Sequence, residues 1–115
     1  HLIAEGLITP PANFSFIFGV RWGMHFDPDL LAYLISRLPP ASRWGAIFVQ
    51  STGFADHLTA ARAGASVLRV GFEDSRQYDG KMADTNAELV AALREALETG
   101  GFAIAASREA RAMLL

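Results

Sequence analysis

Three short runs of aromatic and β-branched residues, each followed by a stretch with helical spacing, constrain this chain more than any other feature. Residues 14–20 (Phe-Ser-Phe-Ile-Phe-Gly-Val), 45–50 (Gly-Ala-Ile-Phe-Val-Gln) and 67–72 (Val-Leu-Arg-Val-Gly-Phe) read as buried strands. After the first, Asp27-Pro28 supplies an N-cap acceptor and a proline at the first helical position. An apolar stripe of Leu30, Leu31, Leu34 and Ile35 follows at helical spacing and is stopped by Pro39-Pro40. After the second, a shorter helix is expected over 55–63, closed by Gly64. After the third, a polar loop over 75–84 with Gly80 as its turn residue leads to Thr85-Asn86-Ala87-Glu88, which has capping-box spacing. The helix behind it carries Leu89, Leu93 and Leu97 on one stripe and ends at Gly100-Gly101. A short extended stretch over 102–105 and a helix capped by Ser107 and running through Leu115 complete the reading. Strands alternating with helices specify parallel βα units, with right-handed crossovers. No repeat or domain boundary interrupts the pattern, and Pro10-Pro11 leads into the first strand.

The length, 115 residues, fits one domain at most. The apolar fraction is 51% and the mean hydropathy +0.23, against about 45–50% apolar in typical domains. Small domains have much surface to cover with polar groups. The excess therefore implies faces meant to be covered by something outside this chain. Ten Lys and Arg balance twelve Asp and Glu, which gives no electrostatic reason to expect a nucleic acid or an anionic membrane as partner. The absence of cysteine excludes disulfides, thiolate zinc sites and a cysteine nucleophile. No apolar run approaches the roughly 20 residues that span a bilayer, and no basic-then-apolar leader is visible. The expected location is cytoplasmic. The first residue is His1 rather than Met, so a trimmed or excised chain is expected.

In parallel α/β folds, sites gather at the carboxyl ends of strands. At the third such end, a period of two places Leu68, Val70 and Phe72 on a face suited to packing under helices. Val67, Arg69, Gly71 and Glu73 fall on the other face, with the glycine clearing space between Arg69 and Glu73. A buried guanidinium needs a partner, so Arg69 should find a carboxylate or a substrate anion. Glu73 stands where a metal or substrate would be, and Asp74 follows on the turn. A purely structural ion pair accounts for the same spacing. The histidines are weaker candidates: His1 lies at the chain's start, His25 lies just before a helix cap, and His57 is expected on the surface of the second helix. Ser51-Thr52-Gly53 has some likeness to a phosphate-cradling turn but lacks a glycine-rich loop and a lysine. Trp22 and Trp44 are expected to be packing residues.

Gly64-Ala65-Ser66 followed by Arg69-Val70-Gly71-Phe72-Glu73-Asp74-Ser75 resembles a signature of the β-keto acid cleavage enzymes. Asn86-Ala87-Glu88-Leu89-Val90, Ile104-Ala105, Glu109-Ala110-Arg111, Gly6-Leu7-Ile8, Phe18-Gly19-Val20, Gly23-Met24 and Asp27-Pro28 are similar to that family as well, so the resemblance spans nearly the whole chain. It implies a (β/α)8 TIM barrel of which residues 1–115 form a single partial domain, the last three βα units. It also implies a catalytic zinc, acetyl-CoA as co-substrate, and a retro-Claisen-type reaction. In that reaction a β-keto acid and acetyl-CoA give acetoacetate and a new acyl-CoA. By position, Glu73 resembles the carboxylate zinc ligand, Asp74 the general base and Arg69 its charge partner. Two histidine ligands and the groups gripping the substrate carboxylate are implied to lie on earlier strands. The family resemblance further implies a homo-oligomer. Many relatives carry a Gly-Arg-His-Gln-like turn where Gln50-Ser51-Thr52-Gly53 stands here, which separates this chain from the usual contacts at that point. An isolated piece of this kind is expected to be inactive, to bind zinc poorly and to self-associate. Two other readings fit the residues: a non-catalytic α/β module binding a small anion through Arg69, and an interaction piece that has lost its chemistry.

Overall fold

A computed structural model describes residues 2–114. The aromatic run forms β1 (Asn13–Phe18), which lies parallel to β2 (Arg43–Phe48) in unbroken register from Asn13↔Arg43 to Phe18↔Phe48. β2 in turn lies parallel to β3 (Val67–Arg69), from Gly45↔Val67 to Ile47↔Arg69. The sheet order is β1-β2-β3, as expected for successive βα units. Chain reversal at the top of β1 uses Gly19 at φ +85°, and Gly19 N–H donates to the Met24 carbonyl at 2.8 Å.

Two of the helices share a core with one face of this sheet. α1 (Pro28–Ser36) starts where Asp27 accepts hydrogen bonds from the backbone N–H groups of Asp29 (2.8 Å) and Leu30 (3.0 Å). Its buried Leu31 joins Phe18, Trp44, Ala46, Phe48 and Ala60 in one core. Phe14, Phe16 and Phe18 supply the same face of β1, while Asn13, Ser15 and Ile17 on the other face are exposed. α2 (Ala55–Arg62) buries Ala60 and His57. A second core lies under α3 (Asn86–Thr99), whose Leu89, Leu93 and Leu97 pack with Phe54 and Tyr78. Thr85 caps α3 by accepting from Glu88 N–H at 3.1 Å, and Glu88 reaches back to Asp84 N–H at 2.8 Å. α4 (Ser107–Leu114) has no buried residue.

Several local expectations are corrected. The strands end earlier than the apolar runs suggest, at Phe18, Phe48 and Arg69. At β3 the reason is specific: Gln50 N–H donates to the Asp74 carbonyl at 2.8 Å instead of continuing the ladder. The polar loop over 75–84 contains a hairpin of β4 (Gln77–Tyr78) and β5 (Lys81–Met82). Its two turn residues, Asp79 (φ +49°) and Gly80 (φ +75°), are both left-handed, the requirement of a type I′ turn. Residues 102–105 are irregular and pair with no strand among the described residues. Ser107 is the first residue of α4 rather than its cap, and the Glu109 carboxylate accepts the Ala106 N–H at 2.7 Å. Trp44 is buried, but Trp22 is 92% exposed, held outward at φ +66° with the Arg21 guanidinium over its ring. His1 and Leu115 lie outside the described residues.

Candidate functional site

Arg69 ends β3 and points to the turn that follows it. That turn is closed by Gly71, whose carbonyl accepts from Asp74 N–H (2.9 Å) and Ser75 N–H (3.0 Å). Asn86, the first residue of α3, accepts the Phe72 N–H at 2.8 Å and pins the turn to the helix. The chain therefore doubles back on itself. Arg69 Nε donates to Asp74 Oδ2 at 2.9 Å, and Arg69 Nη2 donates to Asp74 Oδ1 at 2.6 Å and to Glu73 Oε2 at 3.1 Å. The first two bonds form a bidentate, charge-assisted pair. The three predicted residues are brought together, although by a turn rather than by strand alternation. Phe72, expected beneath the helices, is exposed with the Arg76 guanidinium 4.4 Å over its ring. At Gly71 an added Cβ would meet only ordinary contact, 3.5 Å from the Asn86 oxygen, so clearing space is not its role.

The environments of the two carboxylates differ sharply. The Asp74 side chain is 4% exposed and that of Glu73 is 83% exposed, with Arg69 between them at 47%. The hydrogen bond to Asp74 raises the Arg69 pKa, which keeps the guanidinium charged. A carboxylate offers about four lone-pair sites and Arg69 uses two of those on Asp74. Proton-accepting capacity remains on an anion whose position is fixed.

The turn after β2 is tied to the same place. Besides the Gln50 bond to the Asp74 carbonyl, the Ser75 hydroxyl donates to the Ser51 carbonyl and accepts the Gln77 N–H at 3.1 Å. Gln50 holds a left-handed φ of +60° at this junction. The Ser51 hydroxyl donates to Gly53 O at 2.6 Å, so it is engaged within its own turn rather than offered to a phosphate.

His57 corrects the sequence reading most directly. It is 2% exposed, not on the surface, with its ring against Phe48 (centroids 4.7 Å apart) and Phe54 (5.7 Å). Its Nε2 lies 3.2 Å from the Arg69 carbonyl oxygen. Burial lowers its pKa, which keeps the ring neutral. The signal was present in the spacing: Phe54, His57, Ala60 and Ala61 recur at three- and four-residue steps, the pattern of an inward helix face. His25 is exposed. Among the described residues, no group of three or more His, Asp or Glu side chains is placed to hold a metal ion, and no helix is long and apolar enough to cross a membrane.

With the parallel βα sheet and the Arg69–Asp74–Glu73 turn described, the comparison with known proteins identifies the family. The chain belongs to the β-keto acid cleavage enzyme family, whose model matches residues 1–115. It is 32% identical over 115 residues to the 3-keto-5-aminohexanoate cleavage enzyme of Acetoanaerobium sticklandii, covering 99% of this chain and 42% of that protein. It is 29% identical over 114 residues to the 3-dehydrocarnitine:acetyl-CoA trimethylamine transferase of Rhizobium meliloti, and 32% identical over 120 residues to the 3,5-dioxohexanoate:acetyl-CoA acetone transferase of Paraburkholderia graminis. Each of these alignments covers 99% of this chain and 38% of the relative. The chain thus spans about two fifths of the length of the curated relatives it matches.

Proposed function

We infer that this chain forms the C-terminal βα units of a (β/α)8 barrel that cleaves a β-keto acid with acetyl-CoA, giving acetoacetate and a new acyl-CoA. The observation that carries the reading is the Arg69–Asp74 pair. An almost fully buried carboxylate is held by two charge-assisted bonds at a strand's carboxyl end, with a second, open carboxylate on the same guanidinium. Asp74 is the general base that takes the proton from the keto acid, and Arg69 orients it. Family membership and two relatives named as acetyl-CoA transferases support acetyl-CoA as co-substrate.

Glu73 fits a zinc ion as one hard oxygen ligand: its carboxylate is exposed and anchored at one oxygen only. The other ligands would have to come from outside the described residues of this chain. When bound, the metal would act as a Lewis acid on the keto oxygen. The small-anion reading is the weaker one, because Arg69 already donates to two carboxylates. We place the protein in the cytoplasm as a homo-oligomer and expect the 115-residue piece alone to be inactive.

Two substitutions in the complete enzyme test the assignment. Asp74→Asn should lower kcat by at least about 100-fold, the usual weight of a general base. Glu73→Gln should weaken zinc binding measured by titration calorimetry. Unchanged turnover in the first, or unchanged metal affinity in the second, overturns the corresponding role.

A further inference from the structure

The buried imidazole of His57 is absent from the roles assigned above, and its surroundings are specific. One ring nitrogen, Nε2, is 3.2 Å from the carbonyl oxygen of Arg69, the residue that holds the inferred base. The other, Nδ1, is buried and has no hydrogen-bond partner among the described residues. An unsatisfied buried acceptor is costly, and such sites in folded proteins are met by an ordered water when there is room and polar company. Both conditions hold. A cavity of about 10 Å³, just the room one water needs, has apolar walls that include Phe54 and Leu89 and a polar side formed by His57, Ser51, Asp74, Ser75 and Gln77. These are the residues that join the turn after β2 to the turn carrying Asp74.

We propose that His57 is a positioning residue for the Arg69–Asp74 pair and that it works through a single buried water. The ring is neutral. Its Nε2–H donates to the Arg69 carbonyl and fixes the last residue of β3. Nδ1 accepts from the water, whose remaining hydrogen-bonding capacity is met by the Ser51–Gly53 turn and the Asp74–Ser75 segment. The need for such a clamp follows from the fold. β3 has only three residues, and its pairing with β2 stops at Arg69. The strand ladder alone therefore does not hold the guanidinium's backbone beyond that point. Packing of the ring between Phe48 and Phe54 sets the angle at which both nitrogens point. The catalytic part of this inference rests on Asp74 being the base, whereas the water and the Nε2–H bond do not.

The test has a structural arm and a kinetic arm. A crystal structure of the wild-type protein at a resolution that shows ordered waters should place one water on His57 Nδ1, and ¹⁵N NMR should report the Nε2–H tautomer. A dry cavity or the opposite tautomer overturns the proposal. In the complete enzyme, assayed with 3-keto-5-aminohexanoate and acetyl-CoA, His57→Phe keeps a ring of similar shape but removes both nitrogens. It should lower kcat on the order of 10-fold with KM unchanged, the scale of lost supporting hydrogen bonds around a site. His57→Gln, whose amide retains a donor for the Arg69 carbonyl, should recover most of that loss. Wild-type kcat in folded His57→Phe, or equal losses in both variants, also overturns the proposal. If His57→Phe fails to fold, the wild-type water and tautomer decide the matter alone. Failure of the base assignment is separable: Asp74→Asn would then retain activity while the water and the Nε2–H bond persist.

Discussion

Replacing Arg69 with leucine should destabilise the chain by more than replacing both members of its ion pair. The wild-type pair consists of bonds of 2.9 and 2.6 Å to a carboxylate whose side chain is 4% exposed. Removing one partner of a fully buried pair costs about 3–5 kcal/mol, because a charge is left without compensation. Arg69 is itself half exposed, so water can enter its place and the expected cost is about 2–3 kcal/mol. The additional bond to Glu73 is solvent-screened and contributes about 0.5 kcal/mol or less. In the Arg69→Leu/Asp74→Asn double variant no buried charge remains, and the total loss should fall to about 1–2 kcal/mol. Urea unfolding followed by fluorescence provides the measurement. Trp44 is 6% exposed and reports the core, and Trp22, at 92%, is best replaced by phenylalanine in every variant so that only Trp44 is read. A single variant within about 0.5 kcal/mol of wild type would refute the reasoning, as would a double variant that loses the full sum of the two singles.

Gly45→Ala should disrupt the same site from below. Its added Cβ would sit 2.6 Å from the Val67 carbonyl oxygen, forcing β2 from β3 at a cost of about 1–3 kcal/mol in urea midpoint analysis, and a silent substitution would contradict the close approach. Glu88 carries a pH dependence. Its pKa is lowered by the Tyr78 hydroxyl, then by the Asp84 N–H, so its contribution is complete above the ordinary value of 4.5 and is lost as pH falls through its lowered folded value. Thermal melts across that range should show a shallower acid decline in Glu88→Gln than in the wild type.

The parts of this fold legible in the sequence are those whose causes are local. Asp27 and Pro28 start α1 within three residues of each other, and Thr85 and Glu88 start α3 in the same way. The alternation of Phe14, Phe16 and Phe18 marks which face of β1 meets the helices. Asp79-Gly80 also carried a legible hairpin signal that a reading of the segment as a plain loop passes over. Features that depend on a distant partner were not legible. Period-two alternation puts Glu73 on the strand face of Arg69, but β3 stops at Arg69 because a backbone donor from Gln50 is captured by the Asp74 carbonyl. The residue types of the site were readable, while their geometry came from that long-range bond. Likewise, Trp22 projects outward because the loop between Gly19 and Met24 closes on itself and leaves Trp22 in a left-handed conformation.

The turn after β3, which ties Asp74 to the β2 loop and leaves Glu73 in water, explains why the carboxylates differ so much. Helices cover the face that carries Phe18, Trp44 and Phe48, and these side chains are buried. On the other face, Ser15, Ile17, Val67 and Arg69 stay exposed, as the apolar excess of the composition foreshadows. Asp74 sits 4% exposed in the turn tied to the β2 loop, whereas Glu73, at 83%, remains in water. An interaction such as that of Glu73 with Arg69 is weak while solvent screens it and strengthens as water is excluded. In the proposed barrel, strands from the rest of the enzyme would cover this open face. The step that completes such a fold would then be the same step that desolvates the Glu73 carboxylate and the remaining half of the Arg69 guanidinium. A β-keto acid entering there would meet a base already aligned on the inner side and a ligand carboxylate whose strength depends on closure. On the proposed reading Asp74 is organised by this chain alone, while Glu73 would become fully effective only with the rest of the enzyme around it.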